Sequence, residues 1–213
     1  MNNVFKKIEQ NKVIAVLRGI EPEKALPAAE ALVNGGVKTL EITADTPRIE
    51  ELIAKLNTRF DDDVIIGAGT VLDAQSAENL IHAGAKFIFS PNVCTETIRV
   101  TKEKGVISIP GALTPTEIVE AYQGGADAVK VFPANALGPN YLKSIYGPLS
   151  HIPLVPTGGI NQENMPSYFQ KNVIAIGLGS SLVNANSIND QNNYIELTNK
   201  AKAFMAIVDR KGE

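Results

Sequence analysis

Cysteine and histidine are nearly missing from this chain. Cys94 is the one thiol, which excludes an intrachain disulfide, and His82 and His151 are too few to build a histidine-based zinc site. No basic excess is present either. With 20 Lys and Arg against 23 Asp and Glu, the net charge is -3, so the composition gives no reason to expect nucleic acid as a partner, and any anion binding has to be local. The first residues lack the apolar core of a signal peptide, and no apolar stretch approaches the length that spans a bilayer. A cytoplasmic protein with no membrane partner is expected. No Ser/Pro-rich linker or shift in composition divides the 213 residues, so one domain over 1–213 is expected, with a short N-terminal helix and a C-terminal helix.

What the chain does have is a repeated alternation of short apolar runs and amphipathic stretches. The runs at 13–17, 37–43, 64–66, 86–89, 106–109, 126–133, 153–155 and 173–176 read as strands buried on both faces. Between them, helical periodicity covers 21–34, 47–56, 73–82, 95–104, 114–123, about 140–146 and a stretch between 161 and 170, and a last amphipathic helix runs over roughly 193–208. Thr114-Pro115-Thr116-Glu117 has the form of a capping box with proline at the first helical position. Several strands are announced alike, by glycines at Gly35-Gly36, Gly84, Gly105 and Gly124-Gly125 that end a helix before an apolar run. That is an internal repeat. About eight strand-then-helix units with right-handed crossovers predict an α/β fold, a (β/α)8 TIM barrel, with a doubly wound open sheet as the structural alternative.

In a barrel, function gathers where the strands end, and those ends are rich in glycine and polar groups. Lys130, flanked by Val129, Val131 and Phe132, leaves water if its run is an inner strand. Desolvation disfavours its charged form, and a neutral amine is a nucleophile. Glu41, between Leu40 and Ile42, is expensive to bury unless it is paired or used. It reads either as a general acid/base beside the amine or as the partner that merely neutralises Lys130. Lys130 itself could instead be a strand-end lysine whose head reaches solvent. Thr157-Gly158-Gly159 and Gly179-Ser180 follow the last two strands, where backbone N–H groups unobstructed by side chains bind phosphate in barrels. Neither the glycines from Gly67 nor those from Gly177 complete the Gly-x-Gly-x-x-Gly fingerprint, so a nicotinamide cofactor is not indicated.

Five motifs stand in collinear order: Leu40-Glu41-Ile42-Thr43, Gly67-Ala68-Gly69-Thr70-Val71, Ser90-Pro91, Val129-Lys130-Val131-Phe132-Pro133-Ala134 and Pro156-Thr157-Gly158-Gly159-Ile160. On these, and over nearly its whole length, the chain resembles the KDPG/KHG aldolases, class I enzymes acting on 2-keto-3-deoxy-6-phosphogluconate or 4-hydroxy-2-ketoglutarate. The resemblance implies a (β/α)8 barrel, a homotrimer, no metal and no cofactor. It implies a phosphorylated 2-keto-3-deoxy sugar acid and pyruvate as small-molecule partners. Lys130 matches the Schiff-base lysine, Glu41 the acid/base carboxylate, and Thr70 the threonine that holds the pyruvate carboxylate. Pro91 and Phe132 match residues lining the pyruvate pocket. Thr157 matches a neighbour of the substrate hydroxyls, and Gly158, Gly159, Gly179 and Ser180 match the phosphate-binding backbone.

One position departs from the family pattern. Many members carry an arginine that contacts the substrate carboxylate where this chain has Asp45. Arg18, ending the neighbouring first strand, is the expected replacement, with a mere surface arginine as the alternative. The segment Leu17-Arg18-Gly19-Ile20 also resembles the 2-keto-3-deoxy-6-phosphogalactonate aldolases, so the sequence leaves the sugar epimer open. Two other classes share the phosphate loops: a barrel isomerase or decarboxylase, and a non-catalytic sugar-phosphate binder in which Glu41 and Lys130 only neutralise each other.

Overall fold

The computed structural model describes residues 3–188 and 190–212. Its nine strands are β1 (Val13–Leu17), β2 (Thr39–Thr43), β3 (Ile65–Gly69), β4 (Phe87–Phe89), β5 (Ile107–Ile109), β6 (Gly111–Ala112), β7 (Val129–Val131), β8 (Leu154–Pro156) and β9 (Ile176–Leu178). Every strand residue is buried, as apolar runs with no polar alternation require. All pairings are parallel. Six strands run in the order β5-β4-β3-β2-β1-β9 and three in the order β6-β7-β8.

The two sheets share a seam on each side. β5 runs into β6 through Pro110, which has no N–H to donate but whose carbonyl accepts Lys130 N–H at 2.8 Å. On the other side, isolated bridges join Leu154 to Val173 and Thr157 to Gly177. The result is an α/β fold whose parallel sheet curls about an inner core.

Two separate apolar clusters fit that curl. The larger lies between the sheet and the helices, from Val13 and Leu40 to Phe204. The smaller fills the concave side with Ile14, Ile65, Phe87, Phe89, Ile107, Ile109, Val155 and Ile174, and the helix α1 (Asn3–Asn11) adds Phe5 and Ile8 to it. Adjacent strand residues thus belong to different cores, Ile14 to one and Val13 to the other, as period-two geometry demands.

The connecting helices are α2 (Pro22–Asn34), α3 (Ile49–Arg59), α4 (Ala74–His82), α5 (Thr95–Glu103), α6 (Pro115–Gln123), α7 (Gly138–Leu149) and α8 (Met165–Tyr168), and α9 (Gln191–Gly212) packs back on α2. Thr114 caps α6 as the motif predicts. Its Oγ1 accepts Glu117 N–H, and the Glu117 carboxylate accepts Thr114 N–H at 2.8 Å. The repeated glycines have a common conformation: Gly36, Gly84, Gly105 and Gly125 all have φ between 72° and 107°, the left-handed region that turns a helix end into the next strand. Among the described residues, no helix is long and apolar enough to cross a membrane.

Several expected boundaries move. The third strand extends through Gly69, and the last is Ile176–Leu178 rather than 173–176. In both, glycines sit inside the strand because a neighbour fills the space a Cβ would take: the Phe87 ring at Gly67 and the Thr157 side chain at Gly177. The helix expected between 161 and 170 shrinks to four residues. Asn161 opens an Asx turn, its Oδ1 accepting the N–H groups of Glu163 and Asn164, and the chain is already extended at Phe169.

Gly67→Ala should overpack the inner core against the buried Phe87 ring and lower unfolding free energy by about 1–3 kcal/mol, measured by urea denaturation. In a Phe87→Leu background, the same substitution should cost less. Equal losses in both backgrounds would contradict this packing.

Candidate active site

Glu41 lies in the middle of β2, in register with Val16 on one side and Gly67 on the other. Its side chain is fully buried, and among the described residues neither carboxylate oxygen has a hydrogen-bond partner. Gly69 makes this possible, since a Cβ there would run into the Glu41 carboxyl group. Burial drives the pKa of Glu41 from 4.5 up to about 7, against the pull of Lys130 and Arg18 and with a push from Asp45.

Lys130, in β7, is 3% exposed, and its amine sits over two aromatic rings, 4.2 Å from the Phe89 centroid and 4.7 Å from that of Phe132. The ring faces favour an ammonium. Desolvation nevertheless dominates and lowers the Lys130 pKa; Glu41 opposes that shift and Arg18 adds to it. Lys130 is therefore neither a solvent-reaching strand-end lysine nor locked to Glu41. The two groups interact through space, and the carboxylate accepts no hydrogen bond from the amine.

A cavity of about 170 Å³ opens above Lys130. Arg18, Lys130, Phe132, Thr157, Gly158, Gly159, Gly179 and Ser180, eight of the residues singled out from sequence, all line it. Arg18 follows β1 and is half-exposed. Its guanidinium donates to Thr70 Oγ1 at 3.2 Å and lies 3.9 Å from the Asp45 carboxylate. Thr70 has φ of 57°, a left-handed conformation that a β-branched residue rarely adopts and that the loop after β3 must hold against its preference.

Thr70 and Glu41 are not in the cavity wall, although Arg18 touches the first and Lys130 lies in the field of the second. Pro91 also stays out of that wall. It follows β4, and its backbone packs where a Cβ on Gly111 would go.

The far end of the cavity is built from backbone. Gly158 and Gly159 have φ of 101° and 70°, which a side chain would resist. Among the described residues, the N–H groups of Gly159, Ile160, Ser180 and Ser181 find no partner, while Gly179 C=O accepts from both Leu182 and Val183 N–H at 2.9 Å. Such a concave set of N–H groups suits an anion.

Val16, Ile160 and Ser181 line the cavity without having been singled out. Val16 could have been found from strand register, because it stands opposite Glu41 and so faces the same way. Ser181 adjoins a Gly-Ser pair already noted, but Ile160 contributes a backbone group that no residue type announces. Among the described residues, no cluster of three or more His, Cys, Asp or Glu is arranged to hold a metal ion.

Comparison with known proteins identifies the family. A sequence model described as KDPG and KHG aldolase matches residues 4–199. The chain is 36% identical over 174 residues to the 2-dehydro-3-deoxy-6-phosphogalactonate aldolase of Escherichia coli K12, covering 81% of this chain and 85% of that protein. It is 37% identical over 190 residues to the 2-dehydro-3-deoxy-phosphogluconate aldolase of Treponema pallidum, covering 88% and 90%. A crystal structure of the KDPG aldolase from Legionella pneumophila, with pyruvate captured as a covalent carbinolamine intermediate, superposes with a TM-score of 0.87 at 34% identity, over 95% of this chain and 98% of that one. The chain belongs to the KDPG and KHG aldolase family.

Proposed function

We propose that this protein is a class I aldolase that cleaves 2-keto-3-deoxy-6-phosphogluconate to pyruvate and glyceraldehyde 3-phosphate. The observation that carries the reading is a buried amine whose pKa is lowered by desolvation, lining a cavity with open backbone N–H groups and lying in the field of a buried carboxyl group that, among the described residues, has no hydrogen-bond partner. A sugar-phosphate binder with no chemistry would gain nothing from leaving both groups unpaired. The same chemistry extends to 4-hydroxy-2-ketoglutarate, which would give pyruvate and glyoxylate.

In this mechanism, neutral Lys130 Nζ attacks the C2 ketone, and the carbinolamine loses water to give an iminium. Glu41, as carboxylate, takes the proton of the C4 hydroxyl directly or through water while the C3–C4 electron pair moves into the iminium, leaving an enamine on Lys130. Protonation at C3 and hydrolysis release pyruvate. A Glu41 pKa of about 7 suits a group that must both take and return a proton near neutral pH. Phe89 and Phe132 pack on the amine, and Phe132 bounds the pyruvate end, whereas Pro91, matched to that pocket by the family resemblance, lies outside the cavity wall. Arg18 and Thr70 hold the C1 carboxylate, Arg18 standing in for the arginine missing at Asp45. Thr157 meets the substrate hydroxyls. The N–H groups about Gly158, Gly159, Gly179 and Ser180 hold the phosphate.

The framework we propose is a single (β/α)8 domain over 1–213, with β5 and β6 as one strand broken at Pro110 and the bridges between β8 and β9 closing the ring. Family membership supports a homotrimer, which sedimentation would read as three protomers. Among the described residues, the absence of a membrane-spanning helix is compatible with the cytoplasm as its location.

A coupled assay of pyruvate release tests the reading. Activity is expected with the phosphorylated gluconate acid, and parallel runs with its galactonate epimer and with 4-hydroxy-2-ketoglutarate rank the substrates. No pyruvate from any of the three would contradict it. kcat/KM should rise with pH through about 7 as Glu41 ionises, and Glu41→Gln should abolish that limb together with most of the activity.

Stability should move the opposite way. The native Glu41 pKa lies above its unfolded value, so its contribution is fully present below pH 4.5 and lost as pH rises through about 7. Glu41→Gln should therefore gain on the wild type by up to about 3 kcal/mol between those limits, read from denaturant melts at acid and neutral pH. A constant difference across pH would contradict the burial penalty. Arg18→Ala should raise KM about tenfold or more for every pyruvate-yielding substrate, the loss of a charge-assisted contact. An unchanged KM would remove Arg18 from the carboxylate site.

A further inference from the structure

The loop after β8 has three successive carbonyls tied back. Ala134 N–H donates to Thr157 O at 2.8 Å, Asn135 N–H donates to Gly158 O at 3.1 Å, and Asn164 Nδ2 donates to Gly159 O at 3.0 Å. The first two donors are main-chain groups that any sequence would supply. The third depends on one side chain.

That side chain is itself held. Asn164 Oδ1 accepts Asn161 N–H at 2.9 Å, while Asn161 Oδ1 accepts the N–H groups of Glu163 and Asn164, each at 3.0 Å. One backbone donor and one backbone acceptor fix which way the Asn164 amide faces. In a planar trans peptide, C=O and N–H point in opposite directions. Drawing Gly159 C=O toward Asn164 therefore turns Ile160 N–H away from it, and drawing Gly158 C=O toward Asn135 does the same for Gly159 N–H. Gly159 and Ile160 both line the cavity, and among the described residues neither N–H has a partner.

We infer that Asn164 is a positioning residue for the phosphate end of the cavity: by holding Gly159 C=O it aims Ile160 N–H at the terminal phosphate, and so sets the preference for phosphorylated over unphosphorylated substrates. The inference rests on the aldolase reading of this cavity. Asn164 does not line the cavity and is not a catalytic residue. Its short α8, which begins at the next residue, explains why the helix expected over this stretch is interrupted: the first residues form the Asx turn that presents Asn164.

Asn164→Leu removes both side-chain bonds at similar volume, and Asn164→Asp keeps the acceptor for Asn161 N–H while setting an oxygen against Gly159 C=O. Both variants, checked for wild-type melting, should raise KM for the phosphorylated acid about tenfold, with kcat within about twofold. kcat/KM for 4-hydroxy-2-ketoglutarate should hold, and binding of inorganic phosphate, followed by calorimetry, should weaken about tenfold. An equal loss on both substrates, or unchanged phosphate binding, would overturn the role. The exchange of pyruvate methyl protons for deuterium, which needs Lys130 but no phosphate, separates the two claims. Wild-type protein that exchanges no protons contradicts the aldolase reading, while the phosphate measurement still decides the part played by Asn164.

Discussion

The structure depends on placing a lysine and a glutamate inside the curled sheet without letting them neutralise each other. Either charge alone would be costly to bury, and a close ion pair would recover much of that cost. Here Lys130 lies against the rings of Phe89 and Phe132, and Glu41 occupies the space left by Gly69, with both carboxylate oxygens unpartnered. Burial then moves the two pKa values toward each other, the acid up to about 7 and the amine down.

The rest of the fold serves this placement. Parallel strands buried on both faces bring every strand end to one rim, so residues as distant in sequence as Arg18 and Ser180 meet in one cavity. The rim divides by chemistry. Toward β1 and β3 it is cationic and polar, with Arg18 reaching Thr70 across a strained loop. Beyond β8 and β9 it is backbone, with carbonyls bound behind the loops and N–H groups left open. A substrate with a carboxylate at one end and a phosphate at the other matches that division.

Much of this could be read before the fold was known. Lys130 and Glu41 stood out because a charged residue within an apolar strand has few structural excuses, and the helix-ending glycines gave away the repeat. The strand glycines fell beyond the expected strands 64–66 and 173–176, because a glycine in sequence looks like the end of an apolar run. At Gly67, Gly69 and Gly177 it is instead the absence of a side chain that admits Phe87, Glu41 and Thr157, a fact about neighbours and not about the strand itself. Asn164 was invisible for a similar reason. Its partner is the carbonyl of Gly159, and no residue pattern reports where a backbone carbonyl points.

Borohydride trapping tests whether Lys130 is the nucleophile. The protein is incubated with pyruvate and reductant, digested, and searched by peptide mass mapping for the reduced adduct. One adduct is expected, on Lys130, absent when pyruvate or borohydride is omitted. Failure to trap any adduct, or an adduct on a different lysine, would contradict it.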